Sequence, residues 1–248
     1  MNLFDLTGMK ALVTGAGSPQ GLGRAMAQAL RDQGAEVAVL SRSARIFDVA
    51  REDGHYGIQA DLADRGALRR AFDEALGHLG TLDILINAHG VSTTRPAASF
   101  AIADWDKILE TNLTSVFILC QLAAGVMGLK GYGKIINVAS MTTFFGSTQC
   151  PAYTASKGGI GQLTRALANE WAIKGINVNA IAPGYIDTEL IADAMADDAW
   201  RQGVFARIPA GRFGLAGDMK GIAIFLASHA SDYVDGAIIP VDGGYLGR

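Results

Sequence analysis

The residues best suited to chemistry in this chain are a tyrosine and a lysine four positions apart, Tyr153 and Lys157. On a helix, that spacing places both side chains on one face, one turn apart. A phenol is a weak acid or base at neutral pH because its pKa is about 10. A neighbouring ammonium group stabilises the phenolate and lowers that pKa. The pair therefore predicts proton transfer to or from an oxygen atom of a substrate.

A serine completes this candidate site. Ser140 follows a short apolar run that the pattern predicts to be a buried strand. Its hydroxyl is suited to donate a hydrogen bond to a carbonyl oxygen on which negative charge develops. Since Tyr-x-x-x-Lys also occurs by chance on helices, the interpretation depends on the rest of the chain. Together, the three residues predict a site that interconverts a hydroxyl and a carbonyl group.

A glycine-rich segment provides that context. The run Thr14-Gly-Ala-Gly-Ser-Pro-Gln-Gly-Leu-Gly23 joins a predicted strand to a predicted amphipathic helix. In this setting, glycines let a pyrophosphate approach the free N–H groups of the helix N-terminus. The alternative is a purely structural turn. The predicted cofactor contacts are Gly15, Gly17, Ser18, Gln20, Gly21 and Leu22.

The end of the second predicted strand indicates which dinucleotide fits. An acidic residue at this point commonly binds the ribose diol of NAD, whereas an arginine suits the 2′-phosphate of NADP. Here the residues are Ser41 and Arg42, and Arg45 follows as a second candidate contact. The sequence therefore favours NADP(H) over NAD(H); the alternative is that Arg42 is an ordinary surface arginine.

Seven short apolar runs alternate with helical patterns along the whole chain. They lie at residues 11–14, 36–40, 58–60, 83–86, 134–138, 176–181 and 237–241. Several are apolar on both faces, as in strands buried within a parallel sheet. No linker or repeat interrupts the alternation. We therefore predict the α/β class: a Rossmann-type, doubly wound, seven-stranded parallel sheet in a single domain spanning residues 1–248.

Composition excludes other classes of protein. The 248 residues carry a net charge of −3 and are 50% hydrophobic, which argues against disorder and against a nucleic-acid partner. Two cysteines and four histidines show neither a disulfide framework nor metal-ligand spacing. Without a signal-peptide pattern, the expected location is the cytoplasm. The apolar stretch at residues 115–129 predicts a core helix, not a membrane span.

The order of these motifs resembles the short-chain dehydrogenase/reductase family, whose glycine pattern is Thr-Gly-x-x-x-Gly-x-Gly. Relative to it, this loop has two extra residues around positions 18–20. Asn87-Ala-His-Gly90 resembles the family's Asn-Asn-Ala-Gly, with His89 in place of alanine. His89 is then either a substrate contact or a packed histidine.

The resemblance implies that Asn112 holds a water molecule in a proton relay. It also implies cofactor contacts from Asp61, Leu62, Asn87, Gly90, Pro183, Gly184, Ile186 and Thr188, besides Tyr153 and Lys157.

Within the family, the C-terminal segments are similar to those of sugar-acid dehydrogenases, such as 2-deoxy-D-gluconate 3-dehydrogenases and gluconate 5-dehydrogenases. A sugar acid requires a cation and polar groups, for which Arg95, Gln149 and Tyr185 are candidates. Residues 187–212 are expected to form a helical lid over the substrate.

The predicted activity is hydride transfer between a nicotinamide cofactor and a hydroxyl or keto group of a small molecule, with no metal. The alternatives are a 3-oxoacyl-[acyl-carrier-protein] reductase and a dinucleotide-binding regulator without turnover. The family resemblance and the low charged fraction of 18% predict a homotetramer.

Overall fold

The apolar runs of the sequence form seven parallel strands of one sheet, in the order β3-β2-β1-β4-β5-β6-β7. The structure, a computed structural model, describes residues 2–247 except for the side chains of Leu190, Ala192 and Asp193. The strands are β1 Lys10–Thr14, β2 Glu36–Ser41, β3 Tyr56–Gln59, β4 Ile84–Asn87, β5 Gly133–Val138, β6 Ile176–Pro183 and β7 Ile238–Val241. The predicted parallel sheet is confirmed. Asp83, predicted as part of the fourth strand, lies directly before β4, and its carboxylate accepts a 2.8 Å hydrogen bond from the backbone N–H of Lys10.

Helices connect the strands and cover both faces of the sheet. They are α1 Leu22–Asp32, α2 Ile46–Asp53, α3 Arg65–Leu79, α4 Ile102–Leu109, α5 Ser115–Lys130, α6 Pro151–Trp171, α7 Ala192–Met195, α8 Asp198–Phe205 and α9 Lys220–Ala227. A π-helical turn, Glu110–Thr114, joins α4 to α5.

The core lies in two layers, one on each face of the sheet. In β1, Leu12 packs into the layer beneath α3 and α5, whereas Val13 packs into the layer beneath α1 and α9. Neighbouring residues of β5 divide in the same way, with Ile135 on one face and Ile136 on the other. This is why these strands are apolar at consecutive positions rather than at alternate ones.

The direction of winding reverses between β1 and β4, which are neighbours in the sheet although β2 and β3 separate them in the chain. At such a switch point, a crevice opens beyond the carboxyl ends of the strands, and ligands of open α/β sheets bind there. Thr14 and Asn87, the last residues of β1 and β4, lie directly opposite each other. The topology therefore places the ends of these two strands at the base of the crevice.

One long helix runs from Ile102 to Lys130, because α4, the π-turn and α5 are continuous. Among the described residues, it alone is long and apolar enough to cross a membrane by length and composition. The helix, with 29 residues, is thus longer than the apolar stretch at residues 115–129 that the sequence pattern indicates. Its inner face is buried against the sheet, as expected of a core helix, while Phe117 and Leu129 are exposed.

Candidate active site

Helix α6 carries the tyrosine and the lysine on adjacent turns. It begins with Pro151 at its first position, where a missing N–H costs no hydrogen bond. The Nζ atom of Lys157 donates a 2.6 Å hydrogen bond to the Val138 carbonyl and lies 5.8 Å from the centre of the Tyr153 ring. Since Val138 is the last residue of β5, this bond fixes the lysine at the carboxyl end of the sheet.

Ser140 stands two residues beyond that strand end, in extended backbone. The Ser140 hydroxyl accepts a 3.2 Å hydrogen bond from the Thr142 N–H and forms a side-chain hydrogen bond with Tyr153. Thr143, in the same turn, donates a 2.8 Å bond to the Lys157 carbonyl. The turn after β5 is therefore attached to α6, and it brings the three predicted residues together.

Burial sets the acidity of both ionisable groups. It raises the pKa of the Tyr153 phenol, which the hydrogen bond from Ser140 lowers in part. It also lowers the pKa of Lys157 from 10.5 to about 8, because a buried ammonium loses its hydration. The expected lowering of the Tyr153 pKa is therefore not observed: burial raises this pKa, and the Ser140 hydrogen bond, not Lys157, opposes the rise. The ammonium is hydrogen-bonded to a backbone carbonyl rather than to the phenol.

Asn112 lies in the π-turn and is fully buried. Its side-chain oxygen accepts a 2.8 Å bond from the Val91 N–H, and its amide donates to the Val91 carbonyl at 2.9 Å and to Ser156 at 3.2 Å. π-turns within helices frequently mark functional sites. In this structure, the Asn112 side chain ties the segment after β4 to α6. A role in a water-mediated proton relay stays a prediction.

The glycine loop is packed too closely to accept side chains. Gly15 has a φ of +73°, and a Cβ added there would lie 2.6 Å from the backbone nitrogen of His89. A Cβ on Gly23 would lie 2.6 Å from the Gly15 carbonyl oxygen. The extra residues of the loop form a turn that the Gly21 N–H closes onto the Ser18 carbonyl at 3.0 Å. The loop thus keeps its backbone close to the end of β1 and to the start of α1.

This loop suits an anionic group such as a pyrophosphate. No side chain caps the N-terminus of α1, and no acidic residue lies in its first turn. The Ser18 hydroxyl oxygen is buried without a hydrogen-bond partner. Free N–H groups, the positive end of the helix dipole and an unpartnered hydroxyl together favour a phosphate ligand. The residues present therefore fit a dinucleotide cofactor.

Beside the loop, Ser41 ends β2 and lies against Gly17, since a Cβ on that glycine would overlap the serine hydroxyl. The exposed Arg42 follows, and none of the carboxylates whose side chains the structure describes forms an ion pair with it. Arg45 forms an exposed ion pair with Glu189 at 3.5 Å. A cation and a neutral residue thus stand where an acidic residue would bind a ribose diol.

Two predicted cofactor residues, Leu62 and Asn87, have buried side chains. Leu62 is buried in the core, while its neighbour Asp61 is exposed and accepts a 3.0 Å bond from the Ala63 N–H. Asn87 is also buried, and its amide donates a 2.9 Å bond to Asn137 on β5. Leu62 is thus a core residue, whereas the Asn87 side-chain oxygen is buried without a hydrogen-bond partner.

The other predicted contacts lie along the carboxyl edge of the sheet. Gly90 borders the site, because a Cβ added there would lie 3.7 Å from the Lys157 amino group. Pro183 ends β6, and Gly184 packs directly against the backbone of Asp242. Ile186 is buried, and the Thr188 hydroxyl donates a 3.3 Å bond to its carbonyl.

The predicted substrate residues come from three separate segments. Arg95 is exposed, and its backbone N–H donates a 2.7 Å bond to the Gln149 carbonyl. Gln149 has a φ of 62°, the one positive value among described non-glycine residues, and such strain often accompanies functional sites. Tyr185 lies edge-on to Tyr245, with ring centres 5.3 Å apart. The structure therefore brings Arg95 and Gln149 together next to the N-terminus of α6.

The predicted lid is partly helical. A 3₁₀ turn, Glu189–Ile191, leads into α7 and α8, and Asp197 caps α8 by accepting bonds from the backbone N–H groups of Ala199 and Trp200. Beneath it, Trp200, Tyr185 and Tyr245 pack with Met141, the residue after Ser140. The lid segment thus contacts the turn that carries the candidate hydrogen-bond donor. Closure over a substrate stays a prediction.

Two side chains of the site have contacts that the sequence does not indicate, although a packed histidine is one of the two interpretations of position 89. His89 is packed, with both ring nitrogens hydrogen-bonded, so its use as a direct substrate contact is disfavoured. Arg207 lies 4.4 Å above the ring of Tyr245. The histidine at position 89 is noticeable in the sequence because the family has alanine there. No pattern in the sequence, however, indicates which residues its ring nitrogens contact. The sequence likewise gives no indication that Arg207 contacts Tyr245 in the 3₁₀ turn Tyr245–Gly247.

Comparison with known proteins places this geometry in a family. A family model described as "Enoyl-(Acyl carrier protein) reductase" matches residues 15–246. The chain is 44% identical over 252 residues to a 2-dehydro-3-deoxy-D-gluconate 5-dehydrogenase from Pseudoalteromonas atlantica, covering 99% of this chain and 98% of the relative. It is 41% identical to the Escherichia coli protein of the same description, covering 100% of this chain and 99% of the relative.

A solved structure of a sugar-acid dehydrogenase is similar to this chain over its whole length. The crystal structure of a gluconate 5-dehydrogenase from Burkholderia cenocepacia, in complex with NADP and tartrate, superposes with a TM-score of 0.94 at 36% identity. The match covers 100% of this chain and 98% of that one. The similarity therefore extends over the sheet, the glycine loop, the Ser-Tyr-Lys site and the lid segment together.

Proposed function

The chain belongs to the short-chain dehydrogenase/reductase family, and from that premise we propose that it is an NADP(H)-dependent oxidoreductase of sugar acids. It interconverts a secondary hydroxyl and a ketone on the carbon chain of the acid. The observation that carries the proposal is the convergence of Ser140, Tyr153 and Lys157 at the carboxyl edge of the sheet, beside a loop suited to a pyrophosphate.

The chemistry divides among the three side chains. A bound nicotinamide dinucleotide supplies or accepts the hydride. During reduction, the Tyr153 phenol gives its proton to the substrate oxygen, and the Ser140 hydroxyl donates a hydrogen bond to the same oxygen as negative charge develops. During oxidation, Tyr153 takes the proton back. Lys157, held at the Val138 carbonyl, stabilises the phenolate that forms when Tyr153 has given its proton away.

The polar groups around this centre suit a hydroxylated acid. The Thr142 hydroxyl is buried without a partner, two residues from Ser140. Gln149 and Tyr185 supply further hydrogen-bonding groups, and Arg95 supplies a cation for a carboxylate. The named relatives are 2-dehydro-3-deoxy-D-gluconate 5-dehydrogenases, so we propose a 3-deoxy keto sugar acid, oxidised at its fifth carbon, as the first substrate to examine.

The two rival functions are less consistent with these features. A 3-oxoacyl-[acyl-carrier-protein] reductase would need a basic face for an acidic carrier, whereas this chain has a net charge of −3. A dinucleotide-binding regulator has no need for a serine, a tyrosine and a lysine assembled around one reacting oxygen. Assays with keto sugar acids, simple ketones and acyl thioesters separate the three, with NADPH and NADH oxidation as the readout. We expect turnover of the sugar acids; turnover of thioesters alone would refute the proposal.

Removal of the Arg42 guanidinium is expected to change cofactor preference. In Arg42→Ala, the dissociation constant of NADPH should rise about tenfold, because a charge-assisted hydrogen bond to the 2′-phosphate is lost. The dissociation constant of NADH should stay close to the wild-type value. Titration of cofactor fluorescence measures both. Arg51→Ala is the matched control, since Arg51 is exposed and lies on the neighbouring helix. Equal weakening of both cofactors by Arg42→Ala would contradict a phosphate contact.

Oxidation and reduction are expected to depend on pH in opposite directions. Because burial raises the pKa of Tyr153, the neutral phenol prevails at neutral pH and supports reduction. Oxidation needs the phenolate, so its kcat should rise with pH. In Lys157→Met, the loss of a cation beside the ring should move the oxidation profile to higher pH. Stopped-flow measurement of NADPH absorbance gives the profiles, with the exposed Lys174→Met as control. Superimposable wild-type and Lys157→Met profiles would argue against this role for Lys157.

We further propose a homotetramer in the cytoplasm. Ile102, Phe117 and Leu129 are exposed apolar residues of the long helix, and β7 forms an apolar, half-buried edge of the sheet. A sister subunit would cover both surfaces.

The location in the cytoplasm has a separate basis, since the free thiols of Cys120 and Cys150 are consistent with a reducing compartment. Light scattering measures the number of chains in solution, and cell fractionation measures the location.

A further inference from the structure

The segment after β4 is held from two sides. On one side, Asn112 bonds to both the N–H and the carbonyl of Val91. On the other side, His89 extends its ring between the end of β1 and the start of α5. Its Nδ1 atom lies 2.7 Å from the Thr14 hydroxyl, and its Nε2 atom lies 2.7 Å from the Ser115 hydroxyl.

The hydrogen-bond partners determine which ring nitrogen of His89 carries the proton. The Ser115 hydroxyl donates a 2.6 Å bond to the Thr111 carbonyl, so it can only accept from the histidine. Nε2 is therefore protonated, and Nδ1 is an acceptor. Thr14 accepts a 3.1 Å bond from the Ala88 N–H, and its own proton has two acceptors in reach, the Ile86 carbonyl at 3.3 Å and Nδ1 at 2.7 Å. Since Nδ1 carries no proton and is the nearer acceptor, we assign the Thr14 proton to it. The result is one directed chain of hydrogen bonds, with a donor and an acceptor at every link.

This chain joins two parts of the site that the sequence keeps far apart. Thr14 is the last residue before the glycine loop, and Thr111 belongs to the π-turn that carries Asn112. The glycine loop also touches the same segment directly, because Gly15 has no room for a Cβ against the backbone of His89. Gly90, between the two anchors, faces the amino group of Lys157.

We propose that His89 is a positioning residue, whose neutral imidazole holds the segment 88–91 in place between the glycine loop and Lys157. This inference rests on the proposed function for its effect on turnover. The positioning itself is a property of the protein alone. His89 is not a proton carrier: burial and the nearby Lys157 ammonium lower its pKa to about 3, so it stays neutral at any working pH. The family's alanine at this position can make neither of the two side-chain bonds.

The first test determines the tautomer and the protonation state of the His89 ring directly. Long-range ¹H–¹⁵N spectra of the ¹⁵N-histidine-labelled protein distinguish the two neutral tautomers and the imidazolium. We expect one histidine to be an Nε2–H tautomer whose signals do not change from pH 5.5 to 8, and to be assigned by its loss in His89→Phe. An Nδ1–H tautomer for this residue, or titration within that range, would overturn the proposal. This result does not depend on any substrate, so it separates failure of the positioning role from failure of the proposed function.

The second test measures how the two side-chain hydrogen bonds of His89 affect kcat. His89→Phe keeps a ring but removes both bonds, and we expect kcat to fall about tenfold with an unchanged pH profile. His89→Gln, which retains a donor and an acceptor, should recover part of the loss. Ser115→Ala removes the same link from the other end. Its effect on kcat should therefore not add to that of His89→Phe in the double variant. The exposed His78→Phe is the matched control.

Three outcomes would contradict the positioning role. They are additive effects of the two substitutions, a shifted pH profile in His89→Phe, and a folded His89→Phe protein with wild-type kcat. If His89→Phe does not fold, Ser115→Ala alone decides. It should lower kcat by a similar factor while one histidine still gives the signals of a neutral ring from pH 5.5 to 8, and wild-type kcat in that variant would refute the inference.

Discussion

Replacement of Tyr153 by phenylalanine is expected to lower kcat by about 10³-fold, the upper part of the range for a lost general acid or base. The change removes one hydroxyl and leaves the ring in place against α6 and the turn after β5. Neither the glycine loop nor Arg42 is altered, so the dissociation constant of NADPH should stay within about twofold of the wild-type value. Steady-state kinetics and cofactor fluorescence measure the two quantities separately.

A matched substitution checks that the loss is specific to this phenol. Tyr233 is fully exposed, so Tyr233→Phe should leave kcat and NADPH affinity unchanged. A thermal unfolding curve for Tyr153→Phe verifies that the fold is intact. Wild-type turnover in a folded Tyr153→Phe protein would contradict the proposed mechanism at its centre. A large loss of NADPH affinity would instead assign the hydroxyl to cofactor binding.

Replacement of Ser140 by alanine has the second largest expected effect, a fall in kcat of about 10²-fold. The serine hydroxyl hydrogen-bonds Tyr153 and stands where the substrate oxygen gains negative charge. This interaction strengthens in the transition state, so kcat and kcat/KM should fall together while KM changes little. Initial-rate measurements over a range of substrate concentrations give both parameters.

Two comparisons make the serine result specific. Ser140→Thr keeps the hydroxyl and should retain more activity than Ser140→Ala. Ser99→Ala removes an exposed hydroxyl of a short 3₁₀ turn and should change nothing. A rise in KM at constant kcat in Ser140→Ala would mean that the hydroxyl binds the ground state and the transition state equally, which contradicts a role in stabilising the developing charge.

Much of the fold follows from local pattern. Strands buried on both faces have consecutive apolar residues, so β1, β2 and β5 could be predicted close to their observed bounds. The helix after the glycine loop was equally clear, because Leu22, Met26 and Leu30 recur at helical spacing. The Ser-Tyr-Lys site could be found for a related reason: the helix fixes the distance between Tyr153 and Lys157.

Other features could not be predicted, because they depend on contacts between distant segments. The bonds of His89 join residues near positions 14, 89 and 115, and no spacing within the sequence indicates them. The raised pKa of Tyr153 reflects how deeply α6 is buried, which a four-residue pattern does not reveal. The π-turn at Asn112 extends α5 into a helix that begins at Ile102, whereas the polar residues Glu110 and Thr111 suggest a break.

The central claim is hydride transfer from NADPH to the keto carbon of a sugar acid. It is tested most directly with NADPH deuterated at the transferring position of its nicotinamide, incubated with the wild-type protein and a 3-deoxy sugar acid that carries a ketone at its fifth carbon. We predict one deuterium on the new carbinol carbon for each NADPH oxidised, detected by mass spectrometry and ²H NMR. NADPH oxidation that leaves the sugar acid unlabelled, or label transfer to an acyl thioester alone, would contradict the proposed function.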